Sequence, residues 1–550
     1  MTDSVDTLIR GTMVNVLTGH LEDRTIAIDD GFVVGFGDRP AEREFTAEFV
    51  SPGLINGHMH IESTMLSLPR YAQAGLPRGV TGIIADPHEI GNVLGVRGVR
   101  ALTQQAAETP IRARFTVPSS VPASDRQDAG ARIDPTDVAE LLDEERVVGL
   151  AEVMDIEGVL AGDEEVHAKI AAAKERGLVV DGHFPRVRGE DLHFLARYLD
   201  TDHETRELEE AREKVDCGVK LHIREGSSSK NLDELLPLIE AVDSHRLMFC
   251  TDNFYIDDLV DHAGMDEIVR RVISAGVDPV TAVQLATVTV SETYDLPFGS
   301  IRPGAPADIV LLDDLENWTV DRVMVGGELD PHEGLDDPPI FELTENTVRC
   351  EQLEPAAFHL PIENGTHRLR VIDHEPPLAT EDIRSVPIKD GCPVDAGERD
   401  ELLAAVVERH GGDGSIGRGV ITGTGLERGA IASTVAHDAH NLVVVGVDPD
   451  AMATAANHLR ALGGGLVVAD PRHGTTALPL PIAGLLSNDS FEDVAETMAT
   501  VQGAARAAGL SHSKGIMCLD NLTLEVVPEL RLTNQGLVDV SSMSVVDLLV

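Results

Sequence analysis

Apolar positions in the first 50 residues alternate in three short runs, TLIRGTMVNVLTG, RTIAIDDGFVVGFG and REFTAEFV, which glycine and aspartate turns separate. Such alternation between turns predicts β-hairpin strands. The runs PADIVLLDD and VDRVMVGGEL, within residues 306–329, are short apolar runs of the same kind. We therefore expect residues 1–50 and 301–345 to form one small composite β domain, a β-sandwich, with another domain inserted between its halves.

Residues 51–300 follow a different rhythm, in which apolar runs alternate with helix-like segments such as HAKIAAAKERG (167–177). Alternating strands and helices predict a parallel sheet. Eight strands with their helices in about 250 residues match a (β/α)8 TIM-like barrel. The eight runs are GLINGHMH, TGIIADPH, RARFTVP, VVGLAEV, LVVDGH, YLDTDHE, VKLHIREG and LMFCTD.

Residues 350–550 are predicted to form a separate C-terminal α/β domain. They contain strand-like runs such as LLAAVVERH (402–410) and GGGLVVAD (463–470), and a helix-like run, FEDVAETMATVQGAARAAG (491–509). The acidic, proline-containing region 330–385 is the expected linker. Gly463 to Gly465 lack the Lys-Ser/Thr partner of a phosphate-binding loop, so we interpret them as a turn.

The charge of the chain is strongly negative, with 94 acidic and 44 basic residues and a formal net charge of −50. Only seven of the basic residues are lysines, and the acids are spread along the whole chain. Such a surface repels nucleic acid and anionic membranes, which excludes both as partners. The composition is typical of a halophilic acidic proteome, in which salt screens the repulsion.

Cysteine usage and the N-terminus both point to a cytoplasmic protein. Five cysteines without a C-x-x-C pair make a disulfide framework improbable. The sequence MTDSVDTLIRG lacks a basic segment followed by an apolar one, and no run reaches the length of a membrane span.

Polar residues stand at the carboxyl ends of the predicted barrel strands, which is the face where barrel enzymes build their active sites. His58 and His60 are the most suggestive pair, because residues two apart on a strand project from the same face and two imidazoles can bind one metal ion. The full set is His58, His60, Asp86, His88, Glu152, His183, His203, Glu204, Arg224, Glu225 and Asp252.

Ten strings spread over nearly the whole chain resemble the bacterial and archaeal adenine deaminases of the amidohydrolase superfamily. The joint occurrence of ADPHE and AHDAHN is the most specific part of this resemblance. The chain departs from the family pattern with TDN in place of TDD at Thr251–Asn253 and with DHET in the sixth strand, and both departures keep the candidate ligand. The strings are PGLINGHMHIESTML, ADPHEIGNVLG, GLAEVMD, DGHFP, IREGSSSKN, CTDN, IGRGVITGTGLERGAIASTVAHDAHNLVVVG, GGGLVVAD, LPLPIAGLLS and LTNQGLVDV.

The resemblance implies a shared order of metal ligands: His-x-His on strand 1, a bridging anion on strand 4, a histidine on each of strands 5 and 6, and an aspartate on strand 8. Many relatives use a carboxylated lysine as the bridge, but no lysine precedes Lys169 here, so Glu152 is the available anion. The implied cofactors are two ions per chain, Mn²⁺ first, with Fe²⁺ or Zn²⁺ as alternatives. The matching ligands are His58, His60, Glu152, His183, His203 and Asp252.

The implied activity is hydrolytic deamination of adenine to hypoxanthine and ammonia by a metal-activated hydroxide, a step of purine salvage. Asp252 is the candidate that takes the proton of the water and passes it to the leaving amine. Glu152 either serves only as a ligand or also moves a proton to the purine. Glu89 and Glu204 are rivals for that second role.

The candidates for binding the purine are side chains on the same rim. For Arg224 and Glu225, an equally weighted alternative is that the two side chains pair with each other. Asp86, His88 and Glu89 are alternatively outer contacts of the metal ligands or a further ion site. The candidate set is His88, Glu89, Glu204, Arg224, Glu225 and Ser227.

Three residues of the C-terminal region, His437, Asp438 and His440, have three open interpretations. They bind metal, they close over the barrel mouth, or they form a capped junction between helix and strand. The last interpretation is favoured over direct catalysis.

Two other functions are alternatives to the deamination of adenine. One keeps the barrel and its metals but acts on a cyclic amide or another amino-heterocycle, and the C-terminal region argues against it. The other is a metal-dependent scaffold or purine-binding regulator, which is expected to have lost ligands that this chain retains. Adenine is therefore the expected small-molecule partner, and a homo-oligomer is the expected assembly.

Overall fold

The computed structural model describes residues 4–335, 341, 343, 345–374 and 379–550. These residues form two compact units. The first comprises the described residues within 1–87, 100–119 and 134–340, and the second those within 88–99, 120–133 and 341–550.

The first unit begins with a β-sheet in which β1 pairs antiparallel with β2 and parallel with β4. Antiparallel pairing of β2 with β3 completes the N-terminal part. The strands are β1 (Val5–Asn15), β2 (His20–Asp29), β3 (Phe32–Phe36) and β4 (Ala41–Pro52).

A parallel sheet follows, and its strands stand in sequence order, as expected for a barrel. All residues of the first, second and eighth strands are buried, because side chains on both faces of a barrel sheet are covered. The strands are β5 (Leu54–His60), β6 (Val80–Ala85), β7 (Arg112–Pro118), β8 (Val147–Val153), β9 (Val179–Gly182), β10 (Thr201–Asp202), β11 (Lys220–Arg224), β12 (Leu247–Cys250) and β13 (Asp252–Asn253).

The eight predicted barrel strands correspond to β5 through β12, and β13 brings the sheet back to its start. The predicted last run, LMFCTD, is broken at Thr251, where the chain leaves its pairing with β11 and pairs with β5 instead. Asp252 adopts φ 57°, in the left-handed region, and so turns the chain at this point. The fold is a nearly closed, TIM-like parallel barrel.

The sixth predicted strand, YLDTDHE, is much shorter than expected. Only Thr201 and Asp202 form β10. Tyr198 and Leu199 instead belong to a helical turn, because both of their N–H groups donate to the carbonyl oxygen of Leu195.

Helices connect the barrel strands. The predicted helix at 167–177 is α6, which begins earlier than expected because the Asp163 carboxylate accepts hydrogen bonds from two N–H groups of its first turn. The helices in this part of the chain are α1 (Leu68–Gly75), α2 (His88–Leu94), α3 (Val96–Gln105), α4 (Pro135–Leu141), α5 (Ile156–Ala161), α6 (Glu164–Glu175), α7 (Gly189–Leu195), α8 (Leu208–Asp216), α9 (Leu232–Ala241), α10 (Ile256–Leu259), α11 (Met265–Ser274), α12 (Pro279–Leu285) and α13 (Val288–Thr293).

After the barrel, three strands join the N-terminal sheet: β14 (Ile309–Asp314), β15 (Thr319–Val325) and β16 (Glu328–Leu329). β14 pairs antiparallel with β4, which gives one sheet of seven strands in the order β16-β15-β14-β4-β1-β2-β3. Ile9, Val50 and Ile309 lie in its buried apolar core. The two ends of the first unit thus contribute to one sheet.

The second unit is built on a mixed sheet with the order β19-β18-β17-β21-β20-β23-β22-β24-β25 and a separate sheet, β26-β27-β28. The strands are β17 (Gly365–Asp373), β18 (Thr380–Lys389), β19 (Cys392–Pro393), β20 (Leu402–Val407), β21 (Ile416–Thr422), β22 (Ala430–Ser433), β23 (Leu442–Gly446), β24 (Gly465–Asp470), β25 (Gly474–Pro479), β26 (Leu530–Thr533), β27 (Gly536–Asp539) and β28 (Ser544–Val546). The helices are α14 (Ala396–Arg399), α15 (Pro449–Leu462) and α16 (Phe491–Ala507).

Several predictions for this region agree with the structure. β20, β24 and α16 coincide with the quoted apolar runs, and Gly463 ends α15 at φ 84°, as the interpretation of its glycines as a turn requires. Within the predicted linker at 330–385, residues 336–340, 342, 344 and 375–378 lie outside the described residues, and Gly365–Asp373 is strand β17.

All five cysteines are free thiols. Among the described helices, none combines the length and apolarity needed to cross a membrane.

Candidate metal centre

The barrel carries a group of buried imidazoles and carboxylates at the carboxyl ends of its strands. His58 and His60 end β5, and both side chains are almost fully buried. His60 donates its Nδ1 proton to the carbonyl oxygen of Asp86 at 3.0 Å. This hydrogen bond fixes the tautomer and leaves the Nε2 lone pair available for a metal ion.

Glu152, near the end of β8, lies at the middle of the group. Its Oε1 is 3.2 Å from Nε2 of His58 and 3.0 Å from Nε2 of His60. Its Oε2 is 2.5 Å from Nδ1 of His183 and 3.2 Å from Nε2 of His203. One carboxylate therefore faces two different histidine pairs with its two oxygens, which is the arrangement of a bridging ligand.

Asp252, the first residue of β13, completes the group beside β5. Its Oδ1 is 2.9 Å from Nε2 of His60 and 3.8 Å from Nε2 of His58. Its Oδ2 accepts a hydrogen bond from Nη1 of Arg224, and the same Nη1 is 2.5 Å from Oε1 of Glu204. Arg224 thus connects Asp252 to Glu204.

The electrostatics of the two central carboxylates suit a cation. Burial raises the pKa of Glu152, but the charges of His203 and His183 outweigh it and hold that pKa well below its usual value. Burial also raises the pKa of Asp252, and Arg224 and His60 together bring it well below the usual range. Both groups are therefore anionic near neutral pH and surrounded by imidazoles, which is a donor set for divalent transition metals.

Two partly overlapping sets of ligand atoms lie close enough to hold ions. In the first, one atom from each of His58, Glu152, His203 and Asp252 lies within 4.8 Å of the others. In the second, the same holds for His183, His203 and Glu204. His60 lies beside Glu152 and Asp252, so the six ligands expected from the sequence are brought together, and Glu204 joins them.

Only some of the expected substrate-binding residues lie beside the candidate metal ligands. Glu204 and Arg224 lie beside the candidate metal ligands, whereas Glu225 lies 2.5 Å from Arg271 and 3.3 Å from Lys230. The alternative that Arg224 and Glu225 pair with each other is therefore wrong, because each of the two side chains has partners of its own.

Ser227 makes local contacts. Its hydroxyl donates to the carboxylate of Asp258 and accepts a hydrogen bond from the N–H of Tyr255 at 2.8 Å. These bonds connect the chain after β11 to the start of α10, so the Ser227 hydroxyl stabilises the local structure there.

His88 and Glu89, the first residues of α2, belong to the second unit together with His437, Asp438 and His440. All five side chains are buried. Ligand atoms of His88, His437 and Asp438 lie within 4.8 Å of one another, as do those of Glu89, His437 and His440. The helix and the loop segment of this unit therefore bring a second group of potential ligands together.

Lys214, which is not among the residues predicted from the sequence, positions two segments of the site. Lys214 of α8 is fully buried and donates to Asp202 at 3.0 Å, to Glu210 at 2.7 Å and to the carbonyl oxygen of Phe184 at 2.8 Å. It thus joins the segments that immediately follow His183 and precede His203. The only local signal was its i, i+4 spacing from Glu210, which is common on exposed helices.

A parallel barrel that carries these imidazoles and carboxylates at one rim defines a metal-dependent hydrolase of the amidohydrolase class, and the Amidohydrolase family matches residues 49–329. The adenine deaminase C-terminal domain matches residues 378–544. The chain is 41% identical to the adenine deaminase of Methanothrix thermoacetophila, over 96% of this chain and 94% of that one. Identity is 38% with the Archaeoglobus fulgidus enzyme (98% and 94% covered) and 37% with the Listeria monocytogenes enzyme (98% and 95%). The chain belongs to the adenine deaminase family.

Proposed function

We propose that the protein hydrolyses adenine to hypoxanthine and ammonia. The observation that carries the proposal is a set of six candidate ligands, five of them buried and His183 partly buried, in a chain that matches adenine deaminases over nearly its whole length. In this reaction a C6–O bond forms from water, the C6–N bond to the amino group breaks, and the two protons of the water end on ammonia and the purine.

His58, His60, Glu152, His183, His203 and Asp252 would hold two divalent ions, Mn²⁺ first and Fe²⁺ or Zn²⁺ as alternatives. When bound, such ions supply Lewis acidity that makes water a stronger acid and nucleophile near neutral pH.

Asp252 is proposed to accept the first proton of the water and then to donate this proton to the leaving amine. Arg224, bound to Oδ2, fixes the plane of this carboxylate and directs Oδ1 toward His60. Glu152 contacts four imidazoles and is assigned mainly to ligation. Glu204, on the same guanidinium as Asp252, is the rival candidate for delivering a proton to the purine ring.

The proposed setting is purine salvage in a salt-rich cytoplasm, where counter-ions screen the charge of −50. The proposed assembly is a homo-oligomer.

The test is ammonia release by the purified, manganese-loaded protein in high salt, with adenine, adenosine and dihydroorotate as parallel substrates. Turnover of adenine alone is the expected result, and Asp252→Asn should abolish it. Turnover of dihydroorotate but not adenine would replace the proposal with a cyclic amidase. Absence of turnover with two ions bound at the barrel would refute the adenine assignment.

A further inference from the structure

The second unit contains a buried group of polar side chains that the proposed reaction does not use. His88 and Glu89 come from the first turn of α2, and His437, Asp438 and His440 come from the segment between β22 and β23. None of these five side chains belongs to a residue more than 4% exposed. Two carboxylates and three imidazoles are costly to bury unless their charges are balanced.

His88, His437 and Asp438 have the spacing of ligands around an ion, and Glu89 adjoins this group through His437. Nε2 of His88 is 3.6 Å from Oδ1 of Asp438, and Nδ1 of His437 is 3.9 Å from both Oδ1 of Asp438 and Oε1 of Glu89. These separations exceed the hydrogen-bond range of about 2.7–3.2 Å. Tetrahedral ligands with bonds of about 2.1 Å stand about 3.4 Å apart, so a small inward movement would close these atoms on one ion.

The imidazole of His440 is hydrogen-bonded to the backbone of its own segment. Its Nδ1 accepts a hydrogen bond from the N–H of Ala436 at 3.1 Å, so the proton of the neutral ring lies on Nε2. That Nε2 is 3.7 Å from Oε2 of Glu89, which is beyond the hydrogen-bond range. Because one ring nitrogen of His440 accepts a backbone hydrogen bond and the other carries the proton, we do not assign His440 as a ligand of an ion.

The backbone that presents these groups is held firmly in place. The N–H of His437 donates to the carbonyl oxygen of Asp520 at 2.8 Å, and its carbonyl oxygen accepts from Oγ1 of Thr523 at 2.5 Å. Asn441 donates to the carbonyl oxygen of Asp128 at 2.8 Å. His440 has φ 53°, in the left-handed region that is uncommon for a residue with a Cβ. Such constraint is typical of functional sites.

We propose that His88, Glu89, His437 and Asp438 bind one divalent transition-metal ion within the second unit, in addition to the ions of the barrel. Two carboxylates balance the charge of the ion, and the two imidazoles favour zinc, manganese or iron over calcium or magnesium. The ion connects α2 to a segment some 350 residues later in the chain, so its binding free energy adds to the stability of the fold.

The test is to count ions in the full-length protein after demetallation and reloading with Mn²⁺ in high salt, followed by gel filtration and elemental analysis. Three ions per chain are expected for the wild type, and two for the Asp438→Asn and Glu89→Gln variants. His374→Asn is the matched control, because His374 is another buried imidazole of this unit and bonds a backbone carbonyl. It should keep all three ions.

A barrel variant with His58→Asn, His60→Asn, His183→Asn and His203→Asn supplies the decisive second count, because it removes imidazoles from both barrel sets and leaves the proposed ligands intact. It should keep one ion after the barrel centre is disrupted, and reloading with Co²⁺ should give visible d–d absorption from a His/carboxylate site. The proposal is overturned if the barrel variant keeps no ion, or if Asp438→Asn keeps as many ions as the wild type. Because these counts do not use activity, failure of the adenine assay would leave them unaffected.

Discussion

Arg224 donates a hydrogen bond to Oδ2 of Asp252, whose other oxygen lies 2.9 Å from Nε2 of His60. The same guanidinium nitrogen contacts Glu204 at 2.5 Å. A single cation thus determines how a proposed ligand and a candidate proton donor face each other, although Arg224 itself is not assigned to the metal.

Replacing Arg224 with lysine should therefore reduce turnover more than substrate binding. An ammonium group acts as a point charge and does not reproduce the planar fork of a guanidinium. We expect kcat to fall by roughly 10- to 100-fold, since misplacement by about 1 Å has effects of this size. Ammonia release measures kcat and KM separately. Arg271→Lys, at the partly exposed pair with Glu225, is the control and should stay near the wild type.

Glu152→Gln should remove metal as well as activity, because Glu152 offers an oxygen to each of two histidine pairs. An amide keeps the shape but loses the charge that balances the cations. We expect at least one fewer ion per chain by elemental analysis and a loss of activity on the order of 1,000-fold or more. Glu225→Gln should keep its ions. A fully loaded Glu152→Gln protein would contradict the bridging role.

Lys214→Met tests the buried network behind His183 and His203. The change leaves the buried carboxylates of Asp202 and Glu210 without their cation, which typically costs about 3–5 kcal/mol. Chemical denaturation in high salt should detect this loss in the free energy of unfolding. Lys174→Met breaks a lysine–aspartate pair that is more than one-third exposed, and it should cost no more than about 1 kcal/mol. Equal losses for both variants would disprove the special role of Lys214.

His374 should make stability depend on pH. Burial, partly opposed by the hydrogen bond to the Cys518 carbonyl, lowers the pKa of His374 to about 4. A folded-state pKa below the ordinary value of about 6.5 means that this contribution is present above pH 6.5 and is lost as the pH falls toward 4. The loss amounts to about 3 kcal/mol between those limits.

The measurement compares the free energy of unfolding of the wild type and His374→Asn across this pH range. The variant should depend less on pH, whereas a His20→Asn variant, at an exposed residue, should follow the wild type. Parallel curves for His374→Asn and the wild type would show that the imidazole does not carry the dependence.

Salt should stabilise the protein because its net charge is −50. The screening length falls from about 10 Å at 0.1 M salt to about 3 Å at 1 M, which weakens repulsion among surface carboxylates. We expect the melting temperature to rise by on the order of 5 °C or more over this interval, which corresponds to a few kcal/mol. Sucrose at matched osmolality controls for solute exclusion. An unchanged melting temperature would count against adaptation to high salt.

The sequence was most informative where burial and periodicity agree. The eight barrel runs were visible because strands covered on both faces are continuously apolar, and His58 and His60 were visible because a strand places alternate residues on one face. The pairing of Glu225 with Arg271 was not visible, because a helix 40 residues later provides the partner. Nor did any local feature indicate that His88 and Glu89 belong with residues 341–550.

Strand β14, which pairs with one edge of β4, is synthesised long after β4. The partner of β4 on its other edge, β1, is synthesised before it, but β14 follows roughly 250 residues later, or about 10–50 s at ordinary elongation rates. During that interval β4 is an open strand edge, which is able to pair with other chains. Its segment Ala41–Phe49 carries four glutamates or arginines among nine residues, and charged side chains of this kind disfavour pairing of an open edge with other chains.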